Sequence, residues 1–230
     1  LCRAAWDTVR DLYALEVDGK CGTPAMISAP QTFGDLVNWH SHVHALVPEG
    51  VFTESGHFVH IPDTWKHRSI EIWQEKIFEL LLDEKRIDLD TVANMRSWKH
   101  SGFSVDNSVR IEAHDKDGMQ RLIEYISRCP FSLARMISLT DDGKIIYRAG
   151  NAQCIPFPKP DDRDLTAGNP RNFEIFDLLD FLAAVTQHIP DKGEHQIHFQ
   201  GWYSNKSRGM RRAKPTTTID GVKPDAADEY

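Results

Sequence analysis

The sequence predicts an α+β fold with a mainly antiparallel sheet. Three observations carry that prediction. Asp142-Gly143 lies between the extended runs Met136–Leu139 and Lys144–Arg148, which is a tight-hairpin signal. Ala5, Val9, Leu12 and Leu15 recur at helical spacing over residues 1–17. Elsewhere hairpins and helices are mixed along the chain, the pattern of helices packed on an antiparallel sheet.

Taken in order, the first helix covers 1–17 and Gly19 ends it. Residues 26–37 are apolar, broken by Gly34, and suit a strand or a loop. From Trp39 to Phe52 the chain reads as extended. Pro48, Glu49 and Gly50 give a turn, Val51 starts a return strand, and residues 57–61 extend that hairpin. Asp63 or Thr64 caps a long helix over about 64–86, with Trp73, Ile77, Leu80 and Leu81 along one face. A short helix follows at about 90–98. Residues 103–111 alternate, Phe103, Val105, Val109 and Ile111 against Ser104, Asp106, Ser108 and Arg110, which predicts a half-buried strand. A helix over 115–128 buries Met119, Leu122, Ile123 and Ile126. Residues 151–172 are a loop rich in Pro, Asp and Asn, followed by a helix at about 176–188 and a strand at about 195–203. The chain divides into a main domain over 1–203, a basic segment over 204–214 and a disordered tail over 215–230.

Length and composition bound the function. The 230 residues and 26.2 kDa are enough for a substantial core, and 40% hydrophobic with 27% charged residues exclude a wholly disordered chain. No apolar run is long enough to cross a membrane, and no secretory signal is visible. Cys2, Cys21, Cys129 and Cys154 form no CxxC pair, so they read as free thiols in a reducing cytosol. The net charge of −7 weighs mildly against nucleic acid. Local charge matters more: residues 204–214 carry Lys206, Arg208, Arg211, Arg212 and Lys214 and no acid, a segment suited to backbone phosphates. The chain opens on Leu1 already inside a helix, so we expect a piece of a longer protein.

The sharpest local signal is Trp39-His40-Ser41-His42-Val43-His44-Ala45-Leu46-Val47. On a strand His40, His42 and His44 share one face. Neighbours at i and i+2 lie about 7 Å apart and can share a divalent ion, whereas His40 and His44 are about 13 Å apart. The useful pair is 40/42 or 42/44. The 42/44 pair runs straight into an apolar strand that would hold it rigidly. The plainer reading is a polar strand face of solvated or hydrogen-bonded histidines. Tyr125 is the second signal. Arg121 precedes it by four residues and Arg128 follows by three, so on a helix both sit on its side. A Tyr between guanidinium groups suits an anion site, and arginine grips phosphate oxygens with paired bonds. The alternative is a half-buried core Tyr with two solvated arginines. Metal-binding histidines and an arginine-flanked Tyr together suggest phosphodiester chemistry, with the Tyr oxygen as nucleophile.

At these residues the chain resembles a known family. His42-Val43-His44 is similar to the His-hydrophobic-His motif of the HUH single-strand nucleases, and more closely to the rolling-circle "putative transposase" family of bacterial insertion sequences. Gln31-Thr32-Phe33-Gly34-Asp35, Ser97-Trp98-Lys99-His100-Ser101-Gly102-Phe103-Ser104-Val105, Leu122-Ile123-Glu124-Tyr125-Ile126-Ser127-Arg128 and Gly201-Trp202-Tyr203-Ser204-Asn205 resemble the same family. The likeness runs over about residues 1–212. It implies a ferredoxin-like HUH nuclease core, with the histidines on an antiparallel sheet and the Tyr on a helix. It implies a transposase that uses magnesium or manganese to cleave and rejoin single-stranded DNA at transposon ends through a 5′-phosphotyrosine. By residue, His42 and His44 match the metal ligands and Tyr125 a nucleophile. A third ligand is usual. His40 is the near candidate, and an acid, Asn or Gln from the first strand or the Tyr helix is equally open. Two departures stand out. Two-tyrosine members carry a second Tyr where this chain has Arg121, and full-length members begin with a cysteine-rich zinc-binding domain that this stretch lacks. Two other readings compete: an inactive single-stranded DNA-binding remnant of a transposase, and an unrelated metal-dependent hydrolase that uses the histidines alone.

Overall fold

The structure, a computed structural model, describes residues 1–16, 22–61, 68–112, 114–150 and 172–213. The apolar stripe of the first segment makes α1 (Cys2–Glu16), whose Val9 and Tyr13 pack on Met26 of β1 (Ala25–Phe33) and on Val51. Tyr13 donates its hydroxyl to Pro48 O at 2.7 Å, which ties α1 to the chain beyond the histidines. The histidine strand is β2 (Trp39–Leu46), antiparallel to β1. The other edge of β1 takes β8 (His198–Gly201), so a three-stranded sheet runs β2-β1-β8. At the end of β8, Gly201 has φ 59°, and a Cβ there would collide with Pro24 O and the Trp6 ring. Glycine is thus required where the chain leaves the sheet. It continues into α6 (Asn205–Ala213), formed by most of the basic segment.

A second antiparallel sheet, β5-β6-β7, is built from the Asp-Gly hairpin, β5 (Met136–Leu139) and β6 (Lys144–Arg148), with β7 (Phe173–Asp177) on the free edge of β6. α5 (Leu178–Thr186) packs on it through Phe181. The core of this sheet is completed by the β1–β2 connection. Leu36 and Val37 lie among Ile145, Tyr147, Ala149 and Phe181. Val37 is fully buried although its φ is 58°, an uncommon conformation for a β-branched residue. His188, just past α5, holds it by hydrogen-bonding Val37 O at 3.1 Å and Thr32 Oγ1 at 2.9 Å. The turn that leads into the histidine strand is therefore anchored in the other sheet.

Between the sheets in sequence lie a short hairpin, β3 (Gly50–Phe52) and β4 (Phe58–His60), and three helices: α2 (Ser69–Asp83), α3 (Leu89–Arg96) and α4 (Lys116–Ile126). α2 lies on α1 and places Ile77 and Phe78 in the interior. Asp88 and Asp115 cap α3 and α4 by accepting from Thr91 N and Gly118 N, each at 2.8 Å. The molecule is α+β with antiparallel sheets, as expected.

Several expected elements change. The chain from Val51 does not return against the histidine strand; β3 pairs with β4, and β2 pairs with β1. The polar stretch from Thr53 to His57 closes its own hairpin, with Thr53 N bonded to His57 O at 2.9 Å. Residues 103–111 form no strand. Phe103 does bury against Phe78, with ring centroids 5.5 Å apart, but Asp106 captures the Ser108 N–H at 2.9 Å, a local bond that competes with a ladder. The long helix runs over Ser69–Asp83, between Arg68 and Lys85, both left-handed at φ 66° and 53°; the expected cap at Asp63 or Thr64 lies outside the described residues. On α4, Met119 and Ile123 are exposed, so the expected buried stripe shrinks to the half-buried Leu122 and Ile126. The expected loop at 151–172 lies almost wholly outside the described residues, as do the 215–230 tail, Cys21, Cys154 and Lys214; Cys2 and Cys129 are free thiols.

Candidate functional site

The site is built on the β1–β2 ladder. Gln31 pairs with His42 and Ala29 with His44, and directly opposed residues share a face of the sheet. Between that pair and the next, Phe33 with Trp39, the register slips. Two residues of β2, His40 and Ser41, there oppose the single Thr32 of β1. This is a β-bulge, a device that bends a strand and re-aims its side chains. It sets Trp39 opposite Phe33, on the same face as His42. The three imidazoles still form a row, with ring centroids 5.0 Å apart from His40 to His42 and 4.8 Å from His42 to His44.

The hydrogen bonds set which nitrogens are available. His42 Nδ1 lies 2.8 Å from His40 O, so it carries the proton and Nε2 keeps the lone pair. His44 Nε2 lies 3.1 Å from Gln31 Oε1, while Gln31 Nε2 donates to Ile126 O at 2.6 Å. The amide is thereby oriented with its oxygen toward His44 and its nitrogen toward the end of α4. Burial holds both histidines below the ordinary imidazole range. The Coulomb effects of Arg128 and of the preceding histidine add to it, and His44 falls to about 4. Both are neutral at physiological pH, the state a metal ligand needs. Among the described residues no three His, Cys, Asp or Glu cluster as a ready-made cage. The donors that fit one divalent ion are the two imidazoles, with Gln31 accepting from His44 Nε2 and so orienting that ring.

Tyr125 sits in the last turn of α4 and meets this row directly. Its ring is 5.3 Å from that of His44, edge to face. The helix ends at Ile126, and Pro130, which cannot continue it, follows. Arg128, just beyond the helix, folds back with its guanidinium carbon 4.5 Å from the Tyr125 ring centre and 5.7 Å from that of Phe33. Its Nη1 is 3.9 Å from Asp35 Oδ1, and its buried Nε has no hydrogen-bond partner among the described residues. A guanidinium with unspent donors beside an exposed phenol and neutral histidines is a site for an anionic oxygen ligand such as phosphate.

The other residues singled out from sequence fall into two groups. His40 is exposed, and its carbonyl serves to orient His42. Arg121 is exposed on α4 with no described contact to Tyr125. Lys206, Arg208 and Arg212 are exposed on α6. Arg211 is half-buried instead. It donates to Trp202 O at 2.8 Å and stacks 3.9 Å above the Trp202 ring, which itself stacks on Phe52. Sequence reasoning left open a Gln of the first strand without naming Gln31, and it missed Asp35 and His188 as parts of this neighbourhood. Gln31 and Asp35 did stand in one of the family-like stretches, but only strand register could connect Gln31 with the histidines.

The family described as "Putative transposase" matches residues 25–211, from the start of β1 into α6. The chain belongs to this family. That stretch contains both histidines, Tyr125, Arg128 and most of the basic helix. No curated protein and no solved structure matches the chain. Membership gives the chain a transposase role, a DNA-processing activity with DNA as partner. No described helix is long and apolar enough to cross a membrane.

Proposed function

We propose that this chain is a single-strand transposase of the HUH, rolling-circle type, with Tyr125 as nucleophile and one magnesium or manganese ion at His42 and His44. The observation that carries the proposal is the contact of Tyr125 with His44, 5.3 Å between ring centres, with Arg128 laid over the phenol. In the proposed step the Tyr125 oxygen attacks a DNA phosphorus, the bond to the 3′-oxygen breaks, and that oxygen leaves as a free 3′-hydroxyl. The phenol gives up its proton as the leaving oxygen gains one. The strand stays attached as a 5′-phosphotyrosine until a second 3′-hydroxyl reverses the exchange, so no nucleotide cofactor is consumed. Arg128 steadies the phosphate charge, and Gln31 orients His44 by accepting from its Nε2. When bound, the ion polarises the scissile phosphate.

Tyr125 is favoured as the single nucleophile because the other described tyrosines are committed elsewhere. Tyr13 donates to Pro48 O, Tyr147 is fully buried and accepts from Ser132 N at 3.0 Å, and Tyr203 is half-buried beside Phe52. Arg121 occupies the position of the second tyrosine in two-tyrosine relatives. The test is incubation with labelled single-stranded DNA and manganese, followed by a denaturing gel. Tyr125→Phe should abolish the covalent adduct while DNA binding survives, and His42→Ala with His44→Ala should abolish cleavage with the fold intact. DNA mapped to another tyrosine would overturn the assignment. Binding without any adduct in the unaltered protein would instead favour the inactive remnant.

A further inference from the structure

A cavity of about 340 Å³ opens beside Arg128, and no described histidine lines it. It is lined by Phe33, Asp35, Arg128, Phe131 and Arg135, with Gly34 and the 129–132 backbone closing it. The volume is in the range of small-molecule sites. Its polar groups are gathered around one carboxylate. Asp35 Oδ1 is 3.5 Å from Arg135 Nη1 and 3.9 Å from Arg128 Nη1. Both separations exceed those of hydrogen-bonded ion pairs, so the three groups are held together without saturating one another. Phe131, half-buried, supplies apolar surface, and the buried Phe33 ring backs Arg128. Tyr147 holds the floor by accepting from Ser132 N, and Gly150 lies against the Arg135 guanidinium, where a Cβ would come within 2.5 Å of it. The cavity is thus anchored to the second sheet, while Arg128 is shared with the proposed cleavage site.

We propose that this cavity is a base pocket that takes one guanine of the single strand, next to the phosphate held at Tyr125; this rests on the reading of the site as a single-strand transposase. The argument is donor and acceptor matching. Guanine presents two adjacent donors, N1–H and the 2-amino group, which suit the two oxygens of one carboxylate. Its O6 and N7 form an acceptor pair that suits one guanidinium. Cytosine offers a single exocyclic donor, and thymine flanks its one N–H with carbonyl oxygens that a carboxylate repels. Adenine has no second donor beside its amino group. Only guanine uses the carboxylate and an arginine fully, and the half-buried Phe131 ring offers an apolar edge for the base. A base unstacked from a single strand pays less to enter such a pocket than one extracted from a duplex.

The test measures binding, so it does not depend on cleavage. Fluorescence anisotropy with Tyr125→Phe protein in EDTA compares a 15-nucleotide oligothymidine with the same strand carrying one central dG, dA, dC, inosine or 7-deazaguanine. The dG strand should bind about tenfold tighter than the others, with inosine and 7-deazaguanine each losing a large part of the gain. Asp35→Asn, which replaces one acceptor by a donor, should collapse the preference for dG. Equal binding of all the strands, or an undiminished preference in Asp35→Asn, overturns the pocket. Should Asp35→Asn fail to fold, the inosine and 7-deazaguanine strands decide the question on protein with Asp35 intact. Guanine indifference in a protein that still forms the adduct would refute the pocket alone; binding of no strand would refute the DNA reading together with it.

Discussion

His44 is the residue whose chemistry is most altered by its surroundings. Its folded-state value of about 4 lies below the ordinary 6.5, so between those pH values the unfolded chain binds a proton that the folded chain does not. Its contribution is complete above pH 6.5 and is lost as pH falls toward 4; His42 acts in the same direction. In chelator-treated protein, urea unfolding midpoints should therefore drop between pH 7 and pH 4.5, and His44→Gln should flatten that drop. Gln31 acts through His44. Gln31→Leu removes the oxygen at 3.1 Å and the anchor on Ile126 O together. Manganese affinity and cleavage should fall by about 10- to 100-fold, the usual cost of losing an outer partner of a ligand. Gln31→Glu, which keeps an oxygen at that position, should retain manganese binding measured by calorimetry.

At the scale of elements, α6 carries two kinds of basic residue. Lys206, Arg208 and Arg212 are exposed, whereas Arg211 is spent on Trp202. The helix brings the charges of the basic run onto one short rod, and single-stranded DNA releases about 0.7 counterion per phosphate neutralised. Replacing the three exposed residues by Gln should lower the slope of log affinity against log salt by about 2, read by anisotropy over a salt series. An unchanged slope would make α6 a solvated helix only. Arg211→Ala belongs to a different class. It removes a backbone hydrogen bond and a cation–π contact, and should cost about 1–2 kcal/mol of stability by urea titration while leaving that slope nearly as it was.

For the whole molecule the decisive feature is the β1–β2 connection. Leu36 and Val37 belong to the core of the second sheet, yet they sit between the strand that carries Gln31 and the strand that carries the histidines. His188 reinforces the join through Val37 O and Thr32, with its ring stacked on Trp39. The two sheets should accordingly unfold together. Val37→Ala should cost about 2 kcal/mol, the transfer and cavity cost of a truncated core side chain. Hydrogen exchange should show the β1–β2 and β5–β6 amides losing protection in parallel. Exchange confined to β5–β7 would show the sheets to be energetically independent.

What the sequence by itself determined was local. The helical stripe of α1, the Asp142-Gly143 hairpin and the extended His42-Val43-His44 strand are written in patterns a few residues long, and the structure contains all three. The pairing of Tyr125 with Arg128 was also legible, because three residues along or just past a helix bring side chains to one side. Tertiary structure decided everything that depends on register or burial. Which strand lies against the histidines, where the bulge falls, and that Gln31 reaches both His44 and the end of α4 are consequences of long-range pairing. No local periodicity encodes them. The alternation at 103–111 failed as a strand signal for the same reason: a ladder needs a neighbour, and of that stretch Phe103 packs on α2 while Val109 is exposed. Asp35, Arg128 and Arg135 are dispersed along the chain and converge only because a buried turn of one sheet is seated in the core of the other.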